Sequence, residues 1–420
     1  MKKNIIFLFL FVLPKLYSQQ INVLNMDKAV KIAHENRSIL EALKYSTQAS
    51  KYNEKVAISG YLPKLYLTSD EKFNTGIKGP KNNTTLQASQ LIYSFGGPRQ
   101  LKRAAKKGTE IAKLTERNQE DIIQYEVEIA FLQTWLLQEK KAVINSLNLS
   151  SKENIKKAEH QDELKLLGKN DWLKDASTYA TNMSNVYLYI DELSNAQNQL
   201  EYLLGDVYSI NKNNSKLIWN FKNPIKIKSL IYYYTKALKN RKEIKLKQKE
   251  AEQYAENSKY YKKNYLPEIS LTGQISRSSL ISSRYYYGNK NNSVGINLSW
   301  DLFDGASNYY ESQKANANKL KALKEKSSYI KQVKNEVQKA YYELLKLKKQ
   351  LIAKSVELRQ AKNQFDLAKL KFKIGDISKV DFDTSKYNWQ NNKFDWLTVK
   401  ILTTMKQREL YFACGYPKII

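Results

Sequence analysis

The stretch Val294-Gly295-Ile296-Asn297-Leu298-Ser299-Trp300-Asp301-Leu302 decides the fold. Its apolar residues alternate with small or polar ones, so an extended chain would present one greasy face and one hydrophilic face, the pattern of a strand that separates lipid from water. Ile269, Leu271 and Ile275 alternate with Ser270, Thr272, Gln274 and Ser276 in the same way, while Leu65 to Phe73 and Leu86 to Phe95 follow the pattern more weakly. Four strands are therefore expected, in pairs near 64–95 and 267–303. Short alternating segments also build soluble sandwiches. Here, however, two isolated hairpins would have no second sheet to pack against, and a lone hairpin is marginal in water. Strands that span a bilayer must close into a barrel, because lipid satisfies no open sheet edge. Four strands cannot close, which implies sharing among copies of the chain.

Outward from these strands the chain is helical. Proline and glycine are absent from Ala306 to Ile374, Thr109 to Leu167, Asp376 to Cys414, Lys169 to Leu204, Ile225 to Leu266 and Ile21 to Ser59. From Ile330 the apolar residues Val333, Val337, Ala340, Leu344, Leu347 and Leu351, then Leu358, Phe365, Ala368 and Phe372, fall at coiled-coil spacing. At ~1.5 Å per residue the whole tract from Ala306 to Ile374 would be roughly 100 Å long, beyond the size of a compact domain. A turn at Gly375 and a returning helix carrying Ile377, Val380, Phe382, Leu397, Ile401 and Leu402 make it a hairpin.

The chain also repeats itself. Tyr61-Leu62-Pro63 returns as Tyr265-Leu266-Pro267, Leu91 to Gly96 returns as Trp300 to Gly305, Gly168 matches Gly375, and Leu203-Leu204-Gly205 matches Ala413-Cys414-Gly415, at offsets of 204 to 210. The expected organisation is a signal peptide over 1–18, a first structural repeat over 19–208 turning near 168, a connector over 209–224, and a second repeat over 225–420 turning near 375. Lys2 and Lys3 before the apolar run Ile5 to Leu13, with Ser18 before Gln19, mark the signal. Its apolar core is too short to span a bilayer, and no later stretch offers ~18 uninterrupted apolar residues.

A net charge of +29 would suit a polyanion-binding helical protein. The secretory signal opposes nucleic acid as partner, and the lysines are interleaved with Glu and Asp along every helix, as on solvated helix faces. Attraction of lipopolysaccharide or anionic cargo remains open to such a surface. Cys414 stands alone and reads as a packing residue. His34 and His160 have no partner at metal-ligand spacing, and neither a phosphate loop nor a nucleophile elbow occurs, so no catalytic residue, cofactor or metal is expected. The tyrosines 232, 233, 234, 260 and 261 are expected to pack rather than to stack on a ligand.

With the opening Leu24-Asn25-Met26-Asp27-Lys28-Ala29-Val30-Lys31-Ile32-Ala33, then Glu35-Asn36-Arg37-Ser38, leading to Tyr61-Leu62-Pro63, the ordered landmarks resemble those of the TolC-like outer membrane efflux family over essentially the whole mature chain. The resemblance implies an α+β membrane protein: a long antiparallel α-helical coiled-coil barrel and a β-barrel shared among protomers, four strands per chain and twelve in a homotrimer. It implies a passive channel in the outer membrane, extending into the periplasm and embedded among outer-membrane lipids, that serves an inner-membrane pump and a periplasmic adaptor (membrane fusion protein) in tripartite efflux or type I secretion. The adaptor would meet the helix tips at Leu167, Gly168, Lys169, Ile374, Gly375 and Asp376. An aspartate six residues after the second tip glycine lines the family's constriction, which assigns Asp381. A second aspartate expected three residues later is Thr384 here, with Asp383 adjacent, and Asp376 completes the acidic set. Such a carboxylate ring would attract cations and resist closure. The same residues could instead cap the returning helix. The competing class is a periplasmic helical-hairpin adaptor or structural protein without a membrane barrel.

Overall fold

The computed structural model describes residues 23–72, 81–164, 169–205, 209–210, 216–220, 227–263, 265–281 and 286–416. The signal segment, Phe73, Leu167 and Gly168 lie outside the described residues, as does the side chain of Lys169.

In chain order the elements are β1 (Val23–Asn25), α1 (Met26–Asn36), α2 (Ser38–Ser59), β2 (Lys64–Lys72), β3 (Lys81–Tyr93), α3 (Gly97–Glu163), α4 (Lys169–Leu204), β4 (Lys216–Ile218), α5 (Leu230–Asn240), α6 (Lys242–Lys263), β5 (Glu268–Ile281), β6 (Tyr286–Ser299), α7 (Ser307–Lys373) and α8 (Lys379–Ala413). Helix lengths run 11, 22, 67 and 36 residues from α1 to α4, then 11, 22, 67 and 35 from α5 to α8. No described helix is long and apolar enough to cross a membrane.

The helical core has two centres. Leu24, Ala33, Val127, Phe131, Leu200 and Leu204 pack together in one. Tyr233, Ala237, Val333, Val337, Ala340 and Leu344 form the other, with Leu410 and Cys414, so the three-and-four spacing of α7 is buried at its middle. Cys414 is fully buried and its Sγ lies 3.5 Å from the Tyr233 carbonyl; burial pushes the thiol up to about 12. Tyr233 packs edge-on against Tyr232 and Tyr411, a structural use for the tyrosine cluster.

The helix-forming tracts Ile21 to Ser59 and Ile225 to Leu266 are each interrupted, at Arg37 and Arg241, where the backbone leaves the helix. Neither arginine is a helix breaker, so the cause is tertiary. Arg37 Nη1 donates to the Tyr202 carbonyl at 3.0 Å, and Arg241 Nη1 to the Ala413 carbonyl at 3.1 Å, each satisfying the last turn of a long helix. The chain after those helices approaches the same breaks. A Cβ on Gly205 would lie 2.9 Å from Asn36 Cβ, and one on Gly415 2.8 Å from the backbone of Asn240 and Arg241, and both glycines have positive φ (+85° and +77°). Only glycine fits either place.

Three further features differ from the sequence expectation. Helix α3 starts at Gly97 and runs through Gly108, since Pro98 in a first turn forfeits no helical hydrogen bond. The returning helix starts at Lys379 rather than Asp376. Part of the expected connector is β4, paired in parallel with β1 from Val23↔Lys216 to Asn25↔Ile218.

An ion network joins α3 to α6: Lys107–Glu252 at 2.8 Å, Lys249–Glu110 at 2.8 Å and Lys249–Glu252 at 3.3 Å. The hydrogen bond from Lys107, then those from Gln248 and Lys249, hold the Glu252 carboxyl down to about 2, against an ordinary 4.5. A depressed carboxyl stabilises the fold fully above its unfolded value and loses that contribution as pH falls toward the folded value. Acidification from pH 5 to pH 2.5 is therefore expected to lower the melting temperature of wild type more than that of Glu252→Gln, with melting followed by circular dichroism; equal losses would remove Glu252 from the acid response.

Candidate functional site: a sheet with its apolar face outward

The four long strands form one antiparallel sheet in the order β2-β3-β5-β6. Register fixes which side chains share a face. Leu67 lies opposite Leu86, Leu86 opposite Ile275, and Ile275 opposite Asn292; one step toward the helices the row is Leu65, Ala88, Gly273 and Val294, and Leu271 faces Ile296 in the next. This apolar face is exposed: Val294 is 81% exposed, Ile296 78% and Leu65 73%. The opposite face carries Thr68, Thr85, Ser276 and Asn291 in one row and Ser270 with Asn297 in another. Thr85 is buried and donates to Ser276 Oγ at 3.2 Å, while Ser276 donates to Asn83 Oδ1 at 2.9 Å. A soluble sheet buries its apolar face; this sheet leaves its apolar face uncovered.

Where the hydroxyl face meets the helices there is a cavity of about 630 Å³, bordered by Lys64, Tyr66, Ser89, Ser270, Ser299 and Asp301. At the same end, aromatic side chains flank the apolar face. Tyr93 and Phe95 pack edge-on at 4.8 Å, Phe303 is exposed, and Trp300 Nε1 donates to the Tyr265 carbonyl at 2.9 Å. Trp300 and Leu302, read in sequence as strand residues, lie just beyond the end of β6, where the chain turns through Gly305 and Ala306 into α7. Aromatic rings at this level suit the boundary between hydrocarbon and water.

At the other end of the molecule α7 turns into α8 at Gly375, whose φ of +77° is the left-handed conformation that ends helices. Stacked rings hold the two helices near the turn: Phe365 on Trp389 at 5.0 Å and Phe372 on Phe382 at 4.8 Å. Ile374 is 80% exposed at the turn. The three acidic candidates have local partners. Ser378 is the N-cap of α8, and Asp381 closes a capping box with it: Asp381 N–H donates to Ser378 Oγ at 3.1 Å and Ser378 N–H donates to Asp381 Oδ2 at 3.3 Å, while Ser378 Oγ donates to the same oxygen at 2.6 Å. Those hydrogen bonds from Ser378 hold the Asp381 carboxyl below its ordinary value, with Lys157 of α3 adding to the effect. Asp383 pairs with Lys379 at 3.0 Å, and Asp376 with Lys371 at 3.5 Å. The histidines are apart: His34 Nε2 donates to the Glu120 carbonyl at 3.2 Å, and His160 lies 3.7 Å from Glu163. Among the described residues no group of His, Cys, Asp and Glu is arranged to hold a metal.

Residues 233–416 match the family model described as "Outer membrane efflux protein". No curated protein matches this chain. Solved structures do. The CmeC outer membrane channel of Campylobacter jejuni superposes with a TM-score of 0.78 at 18% identity, over 93% of this chain and 85% of that one. The outer membrane protein VceC of Vibrio cholerae gives 0.73 at 14% identity, over 93% and 96%. The open state of the MtrE outer membrane channel of Neisseria gonorrhoeae gives 0.71 at 16% identity, over 93% and 89%. The TolC-like resemblance read from the ordered landmarks thus stands: residues 233–416 match the outer membrane efflux protein model, and the fold of the chain is that of the outer-membrane channels.

Proposed function

We propose that the chain is an outer-membrane channel-tunnel subunit that closes a shared barrel with copies of itself and passively exports small molecules or proteins delivered by a tripartite pump. The uncovered apolar face of the sheet carries this reading. Val294, Ile296 and Leu65 stand in solvent unless lipid covers them, and the hydroxyl-rich opposite face suits a water-filled lumen. A periplasmic adaptor or structural protein would leave that apolar face in water.

The sheet edges supply the reason for oligomers. In the order β2-β3-β5-β6 the strands alternate in direction, so β6 of one copy meets β2 of the next antiparallel, and three copies give a twelve-stranded ring without edges. The helical pairs α3–α4 and α7–α8 extend the conduit into the periplasm, at ~1.5 Å per residue some 100 Å for each 67-residue helix. Their tips, around Leu167, Gly168 and Lys169 and around Ile374, Gly375 and Asp376, meet the periplasmic adaptor of the inner-membrane pump. Detergent-solubilised protein is expected to run as a heat-modifiable species of three chains and to conduct in planar bilayers. A water-soluble monomer would remove the proposal.

Asp381, with Asp383 and Asp376 near it, is the proposed acidic constriction. Asn at 381 keeps an acceptor for the cap and removes the charge, so Asp381→Asn is expected to lower cation selectivity without loss of helicity. Unchanged single-channel conductance and selectivity would leave Asp381 a cap and nothing more.

A further inference from the structure

We propose that Arg277 and Lys290 form a binding site for the phosphate groups of outer-leaflet lipid, an assignment that rests on the barrel reading above. The two residues are direct cross-strand partners on β5 and β6. They share the outward face with Leu271, Ile275, Val294 and Ile296, and both are exposed. Directly opposed side chains of like charge destabilise a strand pair. Neither residue has an ion-pair partner among the described residues. Glu71, the carboxylate on the outward face, lies one row farther from the helices and two strands away. An anion between the two cations removes their repulsion, and the planar guanidinium of Arg277 matches a phosphate with paired hydrogen bonds.

The position along the strand selects the source of that anion. Arg277 follows Glu268, the helix-side end of β5, by nine residues, or ~30 Å of extended chain. Strands tilted by about 40° convert this to ~23 Å along the membrane normal, close to the ~25 Å height of an outer-membrane barrel's apolar band. The helices lie on the periplasmic side, so the pair sits where the band ends in the outer leaflet, at the depth of phosphorylated headgroups. Thr84 and Ser69 continue the same row on β3 and β2, adding hydroxyl donors beside Arg277.

The test uses the full-length assembled protein in phosphatidylcholine nanodiscs doped with lipid A, with retained lipid A counted by native mass spectrometry. Wild type and R277K/K290R are expected to retain lipid A, and R277S/K290N to retain roughly fivefold less for each charge removed. A parallel arm adds inorganic phosphate at millimolar concentration. Displacement of lipid A in that arm would assign the pair to free anion and overturn the lipid assignment. Equal retention by R277S/K290N, with its heat-modifiable trimer intact, would sink this inference alone. Failure of wild type to form that trimer would sink the barrel reading and the site with it.

Discussion

Val294→Arg is expected to block assembly into the heat-modifiable membrane form, while Ser293→Arg, one residue earlier on the same strand, leaves assembly near wild type. Val294 lies opposite Gly273 on the outward face, midway between the helix-side end of β5 and Arg277, and is 81% exposed. In a bilayer that position is the midplane, where an arginine facing lipid costs ~2–4 kcal/mol in each chain. A closed ring of three carries that cost three times. Ser293 lies opposite Gln274 on the hydroxyl face, where a long cation reaches water in the lumen. The two variants differ by the pleat alone, so strand propensity and added bulk are matched. Assembly is read from unheated and heated gel mobility after membrane extraction. Equal impairment of both variants would mean that the exposed apolar face does not meet lipid, and a worse defect in Ser293→Arg would invert the two faces.

The same pleat explains which parts of the molecule the sequence discloses. Val294, Ile296 and Leu298 alternate with Gly295, Asn297 and Ser299, as a strand with hydrocarbon on one face and water on the other would require, and so strong a solvent difference imprints period two on the residues. The imprint ends where the cause ends: Trp300 and Leu302 keep the alternation in sequence, yet the strand stops at Ser299 as the chain turns toward α7. Val333, Val337, Ala340 and Leu344 are legible for the equivalent reason, being the buried stripe of a helix. The breaks at Arg37 and Arg241 leave no such mark, since arginine favours helix and the interruption is enforced by carbonyls and glycines more than 160 residues away. A signal was available in the repeated dipeptides Asn36-Arg37 and Asn240-Arg241, which sit at the same offset as Tyr61 and Tyr265. β1 and β4 have three residues each, too few for any period to register. At the acidic tip the composition was readable and the geometry was half so: Ser378-Lys379-Val380-Asp381 is a capping-box spacing, but which of its residues caps, and that Trp389 stacks on Phe365 behind it, depends on how α8 returns along α7.

The largest expected loss of stability comes from the contact that ties the two halves of the chain together. Arg408 of α8 is fully buried and its Nε donates to the Glu128 carboxylate of α3, which also accepts from Gln124 Nε2 at 2.8 Å; Arg408 Nη1 reaches the Tyr416 carbonyl at 3.0 Å. Tyr125 stacks on Phe412 beside the pair at 4.5 Å, so an apolar wall lowers the local dielectric and magnifies both the attraction and the cost of losing it. Glu128→Ala removes the carboxylate while leaving the cation inside, an arrangement that costs roughly 3–5 kcal/mol. The double substitution Glu128→Leu with Arg408→Met removes both charges and fills the space with apolar side chains, which is often neutral or stabilising. The expected order of thermal stability in detergent is therefore wild type and double variant together, and Glu128→Ala well below both. If the double variant fell as far as Glu128→Ala, the pair itself would be the source of stability. If instead Glu128→Ala melted with wild type, water would have to reach Arg408, and the seam between α3 and α8 would be open rather than sealed.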